Sequence, residues 1–480
     1  MHSKRQDGRT KWYDWYSSTD TKQERALVFK LDMLILVYAM IAYWIKYIDQ
    51  SNLTNAYVAG MKEDLGFNGN QLVHLQMMYI VGAVVGQIPF TVLFPMYPMN
   101  YIVPMLEIFW GIFTLLQFRA NGYAELMTYR FMIGVFEAAF FPGVHFVLGA
   151  WYRGDEIGRR AGIFYVGQML GILTAGLVTS GTTAHLDGVA GLAGWRWMFI
   201  ITALMTIPVG ISGFFIWPGT PARPNLRFLT HEELALAKFR LEVDKSDVTE
   251  DKRKTHIQIL RSIFTDWKIY VLTFWVVLFW NGGGNSSGGY LLWLKSLKRY
   301  DSVKVNQLGS TAPALGIGYV LFINFASDLF LGRTGALFLG QSMNFIGMVI
   351  LAIWHVPESA KWVAFNLQYF SPAMSSVVYS WVNTICRGDT RERSIILVTV
   401  NLVAQSSTAW TSVLVFKTVE APRFIKGWAF AATCAFASIA FTVGVVRPLS
   451  ERVERELALH GGDGRKEAES SDERVLSKAG

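Results

Sequence analysis

The stretch at 129–146 reads YRFMIGVFEAAFFPGVHF. Apart from Arg130, Glu137 and His145 it is apolar enough to lie in lipid. An ion near the centre of a bilayer costs about 2.5–3.5 kcal/mol or more, so a charge kept there by default faces the interior of a bundle or a water-filled path. The rest of the chain decides whether this stretch crosses a membrane. The 480 residues are 52% hydrophobic and 17% charged, against about 25% charged in soluble domains. Apolar runs such as MLILVYAMIAYWI (Met33–Ile45) and FAATCAFASIAFTVGVV (Phe430–Val446) recur along the chain. A span needs about 20 mostly apolar residues. The sequence therefore reads as an all-α integral membrane protein.

Hydropathy places twelve transmembrane helices in two six-helix halves. The first six cover about 33–50, 72–95, 101–119, 124–148, 160–182 and 197–217, and the second six about 267–293, 309–329, 334–354, 360–384, 395–416 and 426–447. This gives an N-terminal tail (1–31), a first half (32–217), a linker (218–265), a second half (266–447) and a C-terminal tail (448–480). Lys and Arg cluster in both tails and in the loops after spans 4 and 10. The positive-inside rule then puts both termini and the linker in the cytoplasm. KSLKRYDSVK after span 7 is basic on the other face and conflicts with that rule. In the linker, THEELALAKFRLE spaces Thr230 and Glu233 as the capping box of a short helix. Net charge is +8; in a membrane protein this sets topology rather than marking a nucleic-acid partner. Cys386 and Cys434 build neither a disulfide framework nor a thiolate metal site. No phosphate-binding G-x-x-x-x-G-K-[ST] loop is present, which argues against an ATP-driven pump. No nucleophile–base spacing points to an enzyme, and no metal or other cofactor is expected. Two six-span halves with both ends on one side form a carrier layout, in which substrate binds near the midplane between the halves.

The stretch that begins at Tyr129 resembles the fourth-span signature of the anion:cation symporter family of the major facilitator superfamily, roughly R-F-x-x-G-x-x-E-A-x-x-x-P-G. Arg130, Gly134, Glu137, Pro142 and Gly143 match it. WYRGDEIGRRAGIFY resembles the loop that follows. KYIDQSNLTNAYVAGMKEDL, ICRGDTRERS and VEAPRFIKGW resemble landmarks of the fungal allantoate and vitamin permease branch. The similarity runs from about Trp12 to about Val446. Two departures stand out. FPMYPMNY, between spans 2 and 3, lacks the charges that the superfamily carries there. Gln50 stands where vesicular anion transporters have an arginine.

The resemblance implies that Arg130 meets the substrate carboxylate and that Glu137 takes part in proton coupling. Their spacing puts both on one helix face, about 10 Å apart along the axis. That is too far for the direct pairing seen at i+4, so each needs a partner elsewhere. Lys46 and Asp49 share a face of span 1. They pair with each other, or Lys46 snorkels outward, or Lys46 supplies the cation missing at Gln50. Gln50 and Asn52 bind substrate or bridge helices. Glu107 and Asp49 are further candidates for the proton. His145 either relays a proton or is a bonded interfacial imidazole. Asn281 and Asn285 lie in NGGGNSSGGY of span 7, which reads as a broken helix at a site or as close packing through small residues. Gly167 and Gly171 read as a packing face, and the many Trp and Tyr as anchors or packing. Glu156, Arg159, Arg160, Asp328, Arg333, Asp389 and Arg393 are candidates for a cytoplasmic gate of ion pairs.

The resemblance implies a monomeric, multi-pass plasma-membrane carrier whose partners are a small organic anion, protons and the lipid bilayer. Pantothenate ranks first as substrate. Biotin, allantoate, another carboxylate or an exported metabolite are the alternatives, and a nutrient-sensing receptor on the same fold is the alternative of another class.

Overall fold

A computed structural model describes residues 16, 20–94, 96–245, 265, 267–284, 288–386, 390–453 and 455. Asn285 and Asp389 lie outside the described residues, as do the side chains of Arg159, Asp328 and Arg393.

Among the described residues the helices group into rods over the apolar stretches, consistent with twelve. Among the described residues, seven helical stretches are long and apolar enough to cross a membrane by length and composition. Helices suit lipid because every backbone polar group within them is satisfied internally. The first half comprises Lys22–Asp64, Gln71–Leu93, Met99–Arg119, Tyr123–Trp151, Gly154–His185 and Gly194–Ile216. Span 7 is Trp267–Asn281 continued by Gly289–Ser296. Spans 8 and 9 are Ser302–Ala326 and Gly332–Ile353. Span 10 runs from Glu358 to Ile385 in three pieces, and spans 11 and 12 are Thr390–Val415 and Ile425–Val453.

Span 1 begins eleven residues before its apolar run. Thr21 and Glu24 close a capping box there, and Leu27, Val28 and Leu31 are buried. Hydropathy misses this segment because its outward face is charged. Span 4, expected as one helix, is interrupted at Ala138–Ala139 between Tyr123–Glu137 and Phe140–Trp151. Pro142 lacks the N–H that would bond the carbonyl of Ala138. Span 7 breaks, one of the two readings its glycine run allowed. Its helix ends at Asn281, and Gly288 adopts φ +68 at a point where a Cβ would meet Thr54 Cγ2 at 2.5 Å.

The two halves repeat one packing scheme. Span 1 packs on span 5, 2 on 4 and 3 on 6; span 7 packs on 11, 8 on 10 and 9 on 12. Between halves, span 2 meets span 11 and span 5 meets span 8. The hydrophobic cores differ at the two ends of the bundle. At the end away from the termini, Leu53, Tyr57, Trp195 and Phe199 share one core with Trp293, Leu294, Phe365 and Trp428 of the second half. At the terminal end each half keeps its own core. The first-half core also takes in Leu229, Leu234 and Ala237 from the linker. The linker helix, His231–Lys245, carries the expected capping box, with Thr230 N donating to Glu233 Oε2 at 2.8 Å and Glu233 N donating to Thr230 Oγ1 at 3.2 Å.

Polar contacts reinforce the shared end. Lys295 Nζ lies 2.9 Å from Glu63 Oε1 across the halves, and Arg299 pairs with Glu358. Two of the four basic residues in the segment after span 7 thus meet acids at this end of the bundle.

Candidate substrate cavity

Gly134 lies between Arg130 and Glu137 on span 4. A Cβ there would sit 2.1 Å from the carbonyl oxygen of Tyr79, so a residue without a side chain lets span 2 come this close. Tyr79 is thereby placed beside both ions. Its hydroxyl donates to Glu137 Oε1 at 2.7 Å and accepts from Gln50 Nε2. Its ring lies under the Arg130 guanidinium, with the centroid 4.9 Å from Cζ. Lys46 Nζ reaches the same Glu137 Oε1 at 3.6 Å. Gly167 and Gly171 make this possible from the other side. A Cβ at either would lie within 2.8 Å of span 1 backbone, so span 5 holds span 1 against the site.

These charges are nearly sealed from solvent: Lys46 is 8% exposed, Arg130 2% and Glu137 0%. A buried ion costs several kcal/mol unless it is paired and hydrogen-bonded. Lys46 and Glu137 compensate each other. Arg130 is under-satisfied: its Nε and Nη1 have no hydrogen-bond partner among the described residues, and the acids that act on it through space are Glu137 and Asp49.

A cavity of about 350 Å³ opens beside this cluster between the halves, within the range of small-ligand sites. Lys46, Gln50, Tyr79 and Arg130 line it, whereas Glu137 lies behind them. Among the described residues the facing wall carries no charge. Asn401, Gln405, Thr408 and Ser412 line it from span 11. Their 4-3-4 spacing puts them on one helix face. Trp280 Nε1 donates to the Tyr379 hydroxyl at 2.9 Å, and that hydroxyl donates to Asn401 Oδ1 at 2.7 Å. This chain uses the amide oxygen of Asn401 and leaves its NH₂ as a donor.

The Major Facilitator Superfamily model matches residues 39–412. The chain belongs to this superfamily. It is 39% identical over 426 residues to the "Vitamin H transporter" of Saccharomyces cerevisiae, covering 87% of this chain and 72% of that one. It is 31% identical to "Pantothenate transporter liz1" of Schizosaccharomyces pombe, covering 85% and 79%. Among solved structures, the proton:xylose symporter XylE superposes with a TM-score of 0.68 at 14% identity, covering 88% of this chain and 96% of that one. At that identity the likeness concerns the fold. The chain is thus a membrane transporter by family, and not an enzyme.

Within this superfamily fold several candidate residues fall away from the cavity. Asp49 is 2% exposed and accepts from Thr114 Oγ1 at 3.3 Å; Lys46 pairs with Glu137 and not with Asp49. The helical spacing of Lys46 and Asp49 was a poorer guide than the approach of span 4. Asn52 is fully buried and bridges helices, its Nδ2 donating to Thr202 Oγ1 at 2.8 Å. Asn281 does likewise, donating to Ser407 Oγ at 2.7 Å and accepting from Thr411 Oγ1 at 2.5 Å. Glu107 is buried against Tyr38, whose hydroxyl donates to Oε2 at 2.5 Å. His145 Nδ1 donates to the carbonyl of Phe141 at 2.9 Å, and its ring packs on Phe141 and Phe164. None of these five lines the cavity.

Of the gate candidates, Arg160 and Glu156 pair within the first half and with the linker. Arg160 Nε pairs with Asp32 at 2.6 Å, and Glu156 Oε1 takes Arg240 Nη2 of the linker helix at 2.6 Å and Arg153 Nη2 at 3.2 Å. Arg153 also reaches Asp20 at 2.7 Å. This buried network fastens the segment before span 1 and the linker helix to the first half. Arg333 lies near Arg447 in the second half, beside a surface hollow. Tyr79, Tyr379, Trp280 and the span 11 stripe escaped the sequence reading, which took aromatics as anchors. The 4-3-4 polar spacing in NLVAQSSTAWTS was the available signal.

Proposed function

We infer that the chain carries a small monocarboxylate vitamin together with protons across the plasma membrane, with both termini in the cytoplasm. One observation carries this: a buried arginine in the cavity wall whose Nε and Nη1 lack partners among the described residues. A guanidinium offers carboxylate a planar fork and keeps its charge. Glu137 beside it supplies a carboxyl that can take up a proton. An inward-negative potential opposes entry of an anion by about 2.3 kcal/mol per charge per 100 mV, and a co-transported proton offsets that. Basic residues at the terminal end support the orientation, in which the end with the shared core faces outward and the cavity is accessible from inside.

Biotin is the first substrate to test, because the 39% identical relative is named for vitamin H. Pantothenate, first on the sequence alone, is the second reading. Two relatives at 31% and 32% identity bear its name. Both vitamins join one carboxylate to a neutral hydrogen-bonding group, which matches one charged and one uncharged wall. The test is uptake of labelled biotin and pantothenate by a yeast lacking its own carriers, with outside pH varied. Accumulation of one vitamin should rise as outside pH falls. Uptake of neither, at verified surface expression, overturns the substrate class; uptake indifferent to pH and without proton flux overturns the coupling.

A further inference from the structure

We propose that Trp280 and Tyr379 are positioning residues: they fix the amide of Asn401 with its NH₂ towards the cavity, so that the uncharged wall accepts a carbonyl oxygen and turns away a group that can only donate there. This rests on the carboxylate-carrier reading above and adds to it the chemistry required at the substrate's uncharged end.

The relay runs through spans 7, 10 and 11, and its direction is set at its origin. An indole N–H donates and the ring offers no acceptor. Trp280 Nε1 of span 7 therefore gives its proton to the Tyr379 hydroxyl of span 10, at 2.9 Å. That hydroxyl has one proton of its own, which goes to Asn401 Oδ1 of span 11, at 2.7 Å. An amide held by its oxygen presents two N–H donors on its other side. Asn401 lines the cavity together with Trp280 and Tyr379 and is nearly buried. A buried donor left without an acceptor is costly, so this wall favours an occupant that brings one.

A second lock keeps the relay aimed. Asn281, next to Trp280 in the chain, donates to Ser407 Oγ at 2.7 Å and accepts from Thr411 Oγ1 at 2.5 Å. Ser407 and Thr411 sit about 80–120° round the helix from Asn401. Span 11 is thus held against rotation, with Asn401, Gln405, Thr408 and Ser412 turned to the cavity. Both locks leave from the last turn of Trp267–Asn281, immediately before the break in span 7. Lys46 and Arg130 line the other side. The cavity therefore matches a molecule with a carboxylate at one end and a carbonyl at the other. The ureido carbonyl of biotin and the amide carbonyl of pantothenate are such acceptors. An amidinium or guanidinium in their place would set N–H against N–H.

The test measures uptake of labelled biotin and pantothenate by a yeast lacking its own carriers. The competitor is the imino analogue of whichever vitamin is carried, in which a protonated nitrogen replaces the carbonyl oxygen. Wild type should prefer the vitamin about a hundredfold, one factor of ten for the lost hydrogen bond and another for the donors left unpaired. In Tyr379→Phe the Asn401 amide is free to turn its oxygen inward. The preference should fall about tenfold, and the imino analogue should compete better than it does against wild type. Trp280→Phe leaves the bond from Tyr379 to Asn401 and should lower the preference about threefold. A residue that only supports the fold would weaken both ligands alike, so equal loss for vitamin and analogue in Tyr379→Phe overturns the proposal. Should Tyr379→Phe fail to reach the cell surface, Trp280→Phe decides, and an unchanged preference there overturns it. A wild type that carries neither vitamin overturns the carrier reading and this proposal with it. A wild type that carries one of them and takes its imino analogue equally well overturns this proposal alone.

Discussion

The two walls of the cavity come from six-helix halves that pack by the same scheme, yet they carry opposite kinds of chemistry. The first-half wall presents Lys46 and Arg130, with Glu137 behind; the second-half wall presents Asn401, Gln405, Thr408 and Ser412 and, among the described residues, no ion. A shared fold therefore does not dictate a shared role. Ions bunch on one side because each buried charge needs a counter-charge close by, and Gly134 lets spans 2 and 4 approach enough to supply one. The other side spends its polarity on neutral donors and acceptors, which suit the uncharged end of a substrate.

The comparison breaks most sharply at Arg130. Arg130→Lys keeps the charge and loses the fork, so uptake should fall about 30-fold, as for a truncated buried charge contact. Normal uptake at normal surface expression would remove the charged wall from the site. Asn401→Ala probes the other wall. It should raise the apparent KM about fivefold, the worth of one neutral hydrogen bond. The penalty should shrink for an analogue altered at its uncharged end and persist for one altered at its carboxylate. Equal penalties for both analogues would show that the walls do not divide the substrate between them.

Smaller effects come from the ends of the bundle. Glu63→Gln removes the pair with Lys295 that ties the halves at the end away from the termini. The pair is exposed and worth roughly 1 kcal/mol or less, so exchange rates measured with and without the substitution should differ about twofold. The smallest effect is a pH dependence of linker docking. Burial alone would raise the pKa of Glu233, but Lys30, 2.9 Å away, and the Thr230 amide hold it below its ordinary value. A carboxyl depressed in the folded state stabilises above its unfolded pKa of about 4.3. It loses that contribution as pH falls through the folded value. Melting of Glu233→Gln should therefore lie slightly below wild type at pH 7 and converge with it in acid.

Much of this was legible beforehand, and the reasons are specific. The spans, the linker capping box at Thr230 and Glu233, and the break in span 7 follow from local composition and spacing. Arg130 and Glu137 stood out because ions are costly in an apolar run. Tyr79 did not, because nothing in MMYIVGAVV distinguishes a cavity tyrosine from one that packs. Asn281 and Asn52 were open between ligand and structural roles, and here they bridge helices, since polarity in a span does not reveal which neighbour it faces. Glu156 and Arg160 were candidates for a cytoplasmic gate by charge alone, and their partners Arg240 and Asp32 lie too far off in the chain for spacing to reveal them.

The sequence by itself determined that the chain is a bundle of membrane helices with a cation and an acid on one face of span 4, because hydrophobic length and helical period are local properties. Only the tertiary structure decided that Lys46 is the cation that meets Glu137, that Tyr79 stands between the ions, and that the opposite wall is uncharged. Those facts depend on how closely separate helices approach, and that distance is set by small residues such as Gly134, Gly167 and Gly171 acting on partners far away in the chain.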